Sequence, residues 1–179
     1  MKTSIVLAAL LATLIPAAGA AQPPSPYAGQ QARDVKTLSP AEVKGYLTGE
    51  GLGMAKAGEL NHYPGPRHVL ALAQPLGLTP AQNRRILNIA ATMKASAVLL
   101  GGEIVDSERA LDRAFAQRTI DEDGLRAATA RIAELQGRLR AVHLSAHLAT
   151  RAVLTPDQIA IYDHMRGYAP GAPAMHHHV

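Results

Sequence analysis

A chain of 179 residues has room for one domain and a targeting segment. Its residues are 47% apolar but only 3% aromatic, so a core must be built of Leu, Ala, Ile and Val, which favours packed helices over a β-sandwich. The absence of cysteine excludes disulfides, thiolate metal sites and cysteine nucleophiles, and a formal charge of only +4 with scattered arginines argues against nucleic-acid binding.

Lys2, an apolar run over 4–15, Pro16 and Ala18-Gly19-Ala20 read as a secretory signal peptide at 1–20, cleaved after Ala20 or Ala21. An uncleaved anchor is the alternative, but the run is short for a span and Pro16 interrupts it. Export without cysteines suggests a Gram-negative periplasm as the expected location of the mature protein. Residues 21–38, Pro-rich over 22–31, are expected to form a flexible segment ahead of a helical domain at 39–167, with a flexible His-containing tail at 168–179.

Ser39-Pro40-Ala41-Glu42 is a capping box with proline at the first helical position and predicts a helix over 40–48. Gly49, Gly51 and Gly53 then loosen the chain. They follow no strand, so they do not read as a dinucleotide loop. Helix should resume over 52–60, break at Asn61-His62-Tyr63-Pro64-Gly65-Pro66, and return briefly over 67–74.

Thr79 caps the next long helix, with Pro80 in its first turn and Gln82 reaching back to the cap. Its seam runs Ile86, Ala90, Met93, Ala97, Leu100, Ile104, Ser107, Leu111, Ala114, in steps of three and four. Gly101-Gly102 interrupts it, predicting a bend or a close neighbour. After a turn near Thr119-Ile120, for which Thr119-Ile120-Asp121-Glu122 reads as a capping box, a second long helix occupies 121–154. Its seam is Leu125, Ala128, Ile132, Leu135, Leu139, Val142, Ala146, Ala149, Val153. Thr155-Pro156-Asp157-Gln158 opens a last short helix that stops at Gly167, and Met175-His176-His177-His178 closes the chain. The pattern is all-α: a long antiparallel helical hairpin with shorter N- and C-terminal helices.

Leu78-Thr79-Pro80-Ala81-Gln82 and Leu154-Thr155-Pro156-Asp157-Gln158 are two copies of one helix-opening box on either side of this hairpin. They resemble the periplasmic LTxxQ family, which includes the Spy/CpxP-like chaperones and the heavy-metal resistance sensors similar to CnrX and ZraP. The resemblance covers 39–168. It implies a Spy/CpxP-like all-α fold, a homodimer, and either metal sensing or client holding. The stretch from Glu59 to His68 is closer to the metal-sensor subgroup than to the simple Spy pattern.

His143 and His147 form HxxxH, one turn apart on one helix face beside the seam, a spacing that can hold one metal ion. The intervening residues are Leu, Ser and Ala, so the glutamate base of a zinc protease is missing. The bland alternative is a pair of hydrogen-bonded or hydrated polar residues. With the turn near Thr119, His143 faces Ser96 and His147 faces Thr92, and Met93 lies between them. A thioether beside imidazoles suits copper or nickel better than magnesium or calcium. Ordinary core filling is the favoured reading of Met93. From the segment packed at the open end of the hairpin, His68 is the first choice for a further ligand, Glu59 the second and His62 the third. Glu103 and Glu108 read as a solvated acidic face pairing with arginines, and His164 as surface.

The leading expectation is a periplasmic metal-binding stress or resistance protein. It would take a divalent transition metal (nickel, copper, cobalt or zinc) on His143 and His147, with His68 or Glu59 completing the site, and act on a membrane signalling partner. The alternative is an ATP-independent holdase for unfolded envelope proteins, with Arg84, Arg85, Lys94, Arg109, Arg113, Arg138 and Arg140 beside exposed apolar residues. No catalytic triad, phosphate loop or paired-carboxylate motif points to an enzyme.

Overall fold

The computed structural model describes residues 24–169; the expected signal peptide at 1–20 and the Met175-His176-His177-His178 tail lie outside them. The chain divides into two compact units, Met1–Gln31 and Ala32–Val179. The described part of the first, 24–31, consists largely of turns. In the second, every regular element among the described residues is a helix: α1 Pro40–Thr48, α2 Lys56–Glu59, α3 Pro66–Ala71, α4 Pro80–Ala116, α5 Glu122–Arg151 and α6 Pro156–Met165. The protein is all-α. No helix among the described residues is long and apolar enough to cross a membrane.

Local chemistry sets the starts of α1, α4 and α6. Ser39, Thr79 and Thr155 each accept from the amide three residues on, while Glu42, Gln82 and Gln158 accept from the cap amide in return. The α5 start differs from the capping box expected at Thr119. Asp121 is the cap, accepting from the Gly124 amide at 2.8 Å. Arg118 takes a left-handed conformation (φ 56°) to reverse the chain, and Thr119 is spent on the Ala114 carbonyl closing α4. The helix expected over 52–60 is reduced to α2, because Leu52 and Gly53 adopt positive φ (43° and 74°).

The short connection between α4 and α5 folds them back on one another, and Arg131 Nη2 reaches Glu103 Oε2 across the pair at 2.7 Å. Glu108, expected on a solvated acidic face, is instead buried and accepts from the Thr37 hydroxyl at 2.8 Å. Lys36–Asp112 (2.7 Å) and Arg109–Asp34 (2.9 Å) dock the same N-terminal segment on α4. Val35 and Leu38, from the 21–38 stretch placed ahead of the domain by the sequence, are buried. Gly101 admits α1: a Cβ there would lie 2.1 Å from the Tyr46 carbonyl oxygen.

Two apolar clusters form. One joins Val35, Leu38 and Tyr46 to Ala97, Leu100, Ile104, Leu135 and Leu139, and the other joins Val69 and Leu76 to Ile86, Val153, Leu154 and Tyr162. Burying each large aliphatic side chain contributes roughly 1.5–3 kcal/mol, so these clusters carry the fold. Between them, at one level of the hairpin, α4 contributes Met93 and α5 contributes His143 and His147.

Candidate functional site

The heptad seam of α5 stays buried at Ile132, Leu135, Leu139, Ala146 and, just past the helix, Val153, but beyond Leu139 the buried face widens. Val142 is half-buried and Ala149 exposed, while His143, His147 and Thr150 join the buried face. An α-helix of 3.6 residues per turn drifts from a seven-residue repeat, and α2 and α3 pack on the side toward which it drifts. The histidines are therefore inside rather than beside the seam, at 3% and 9% exposure. They also look away from Thr92 and Ser96. Those two residues line a separate groove with Ala141, Val142 and Ser145, and Met93 borders both spaces.

Glu59, His68, Met93, His143 and His147 share one cavity of about 270 Å³. The loop 61–65 forms part of its frame. His62 is held in the left-handed region (φ 66°), a conformation that costs a non-glycine residue on the order of 1 kcal/mol. Two contacts offset that strain. Arg151 Nε donates to the His62 carbonyl at 3.1 Å, with its guanidinium 4.8 Å from the Tyr63 ring centre, and His62 Nδ1 pairs with Asp163 Oδ2 at 2.7 Å. His62 is thus committed to Asp163 and does not line the cavity.

The loop also orients His147. Its Nδ1 lies 2.7 Å from the Tyr63 carbonyl, which can only accept, so Nδ1 carries a proton and in the neutral form of the ring the lone pair stands at Nε2. Gly65 is packed on this ring: a Cβ there would sit 3.0 Å from His147 Cε1 and 3.1 Å from Nε2. His143 Nε2 is buried with no hydrogen-bond partner. Burial, and then the neighbouring charge of His147, push the His143 pKa below its ordinary value, so the neutral ring is favoured.

Glu59 is the hub of the cavity wall. Its Oε1 accepts from the Tyr162 hydroxyl, from His68 Nδ1 at 3.2 Å and from the Tyr168 hydroxyl at 3.3 Å, while Oε2 accepts from the Gly65 amide at 3.1 Å. Arg166 Nε and His147 Nδ1 each stand 3.6 Å away. Burial alone would raise the Glu59 carboxyl, but the hydrogen bonds from His68 and Tyr162 and the charges of His68 and His147 outweigh it and lower its pKa to about 2. Burial and the Glu59 charge push Tyr162 and Tyr168 upward, so both hydroxyls stay protonated as donors. His68 is half-exposed; with Nδ1 given to Glu59, its Nε2 is free of this network.

The four residues singled out from the sequence, His143, His147, His68 and Glu59, thus border one space. Among the described residues, however, no group of three or more His, Asp or Glu side chains is arranged to hold a metal ion. Compared with known protein families, with curated proteins and with solved structures, the chain matches none at a significant level.

The tyrosines went unnoticed in the sequence. Only five occur in the chain, and Tyr63, Tyr162 and Tyr168 all serve this site. Their scarcity in an aromatic-poor chain, with two of them flanking Asp163 and Arg166, was the available signal.

Proposed function

We propose that this protein is an envelope metal-binding protein of the LTxxQ type, taking a transition-metal ion through Nε2 of His143 and Nε2 of His147. The observation that carries this reading is the buried His143 Nε2 without a partner. Such an atom costs about 1–3 kcal/mol. A bound cation would remove that cost. The second histidine one turn away, its lone pair freed by the Tyr63 carbonyl, supports the same conclusion. The two helix-opening boxes and the long helical pair between them support a Spy/CpxP-like hairpin. A homodimer, a periplasmic location and a membrane signalling partner belong to this proposal.

The test is calorimetric titration of chelator-stripped protein with nickel, copper and zinc. His176, His177 and His178 should first be replaced by alanine so that the tail does not compete. His143→Ala/His147→Ala is expected to lose about tenfold or more in affinity. Because neutral imidazole is the ligand, binding should weaken below roughly pH 6.5. Equal binding by wild type and the double variant would remove the proposal.

The holdase reading has some support in exposed Leu87, Leu99, Phe115 and Leu148. These lie singly along two helices, as is ordinary on a helical surface, so the metal reading is preferred. Chelator-independent suppression of client aggregation would reverse that order.

A further inference from the structure

We propose that the ion is cuprous copper, bound by Nε2 of His143, Nε2 of His147 and Sδ of Met93, with Glu59 as a positioning residue rather than a ligand. This rests on the metal-binding reading above and departs from it on the charge of the ion.

The carboxylate is the first reason. Both Glu59 oxygens are committed, to Tyr162, His68 and Tyr168 on one side and to the Gly65 amide on the other. Turning Glu59 toward an ion would strand the buried Tyr162 hydroxyl and the Gly65 amide, each at about 1–3 kcal/mol. Glu59 instead fixes the wall behind His147, whose Nδ1 is 3.6 Å from Oε2.

Charge is the second reason. The Glu59 carboxylate is turned to its own donors and to Arg166 Nε at 3.6 Å, so the donor atoms left for the ion, two imidazole nitrogens and a thioether, carry no negative charge. The other ionisable groups lining the cavity are Lys56, Arg67 and His68, none of them an anion. Ion desolvation scales with the square of the charge. A monovalent ion therefore carries about a quarter of the penalty of a divalent one in the same surroundings.

Donor softness is the third. Structural zinc sites use four ligands, and no such group of His, Asp and Glu exists among the described residues. Cuprous copper is selected by thioether donors. Met93 is buried between the two apolar clusters at the level of both histidines, and its unbranched chain lets the sulfur adjust without moving the backbone.

The experiment is an anaerobic competition titration with a colorimetric cuprous chelator, run beside zinc and nickel titrations. It uses protein in which Met175, His176, His177 and His178 are alanine. One cuprous ion per chain should bind, about a hundredfold or more tighter than zinc. Met93→Leu preserves volume and should keep the melting temperature. It should weaken cuprous binding by about tenfold or more, leave zinc unchanged, and remove sulfur scattering from the copper X-ray absorption spectrum. Glu59→Gln should weaken cuprous binding through the loosened His147 while keeping the same donor set, two nitrogens and one sulfur, in that spectrum. Cuprous binding no tighter than zinc or nickel, insensitivity to Met93→Leu, or loss of a donor from the spectrum on Glu59→Gln would overturn the copper assignment while the histidine site stands. Failure of every ion to bind, or binding indifferent to His143→Ala/His147→Ala, would instead overturn the metal-binding reading itself.

Discussion

Gln82 and Gln158 hold one another amide to amide. Gln82 Nε2 donates to Gln158 Oε1 at 2.8 Å, and Gln158 Nε2 donates back to Gln82 Oε1 at 3.2 Å. Each glutamine also closes its own capping box, and each reaches a carbonyl beyond it: Gln82 to Val153 at 3.0 Å, Gln158 to Leu76 at 3.2 Å. The starts of α4 and α6 are thereby locked together, which places Tyr162 and Arg166 of the last helical segment against Glu59.

Gln158→Ala should cost about 2–3 kcal/mol, since it removes a cap and strands buried groups. Gln82→Ala should cost about 1–2 kcal/mol, its surroundings being only partly buried. Urea denaturation of both single variants and the double variant checks the coupling: the double loss should fall short of the sum by roughly 0.5 kcal/mol or more. Simple additivity would mean that the amide pair contributes nothing beyond its caps.

The adjacent glycines of α4 should respond in opposite directions. Gly101→Ala drives a methyl group into the Tyr46 backbone and should destabilise the protein by at least about 2 kcal/mol. Gly102 has nothing within 4 Å of a built Cβ, so Gly102→Ala should stabilise it by about 0.5–1 kcal/mol through helix propensity. Chemical denaturation of the two variants separates close helix contact from a generic glycine effect.

Stability of the metal-free protein should fall with acid in two windows. His143 binds its proton less readily folded than unfolded, so the contribution of its neutral ring is complete above its ordinary 6.5 and is lost as pH falls below it. Glu59, lowered from 4.5 to about 2, adds stability that is complete above pH 4.5 and disappears as pH drops toward 2. The Glu59 share is roughly 2–3 kcal/mol. His143→Leu should flatten the first window and Glu59→Gln the second, measured by denaturation at stepped pH. A Glu59→Gln deficit that stays constant from pH 7 to about pH 2.5 would show that its charge is not what the wall uses.

What could be read without coordinates was whatever acts over a few residues. The boxes at Ser39, Thr79 and Thr155, the left-handed stop at Gly167 and the His143/His147 spacing all follow from contacts within one or two helical turns or from backbone sterics. Such local rules also dictate the all-α class, since an apolar but aromatic-poor chain with seams of step three and four buries itself best as packed helices. The tertiary structure alone decided which polar groups are spent and which are left over. Glu59 meets Tyr162 from more than a hundred positions away, Glu108 meets Thr37 instead of an arginine, and α2 and α3 cover His143 and His147 where the heptad would have left them at the margin. A side chain's partner at such separations depends on where other elements dock, and no periodicity within its own helix records that.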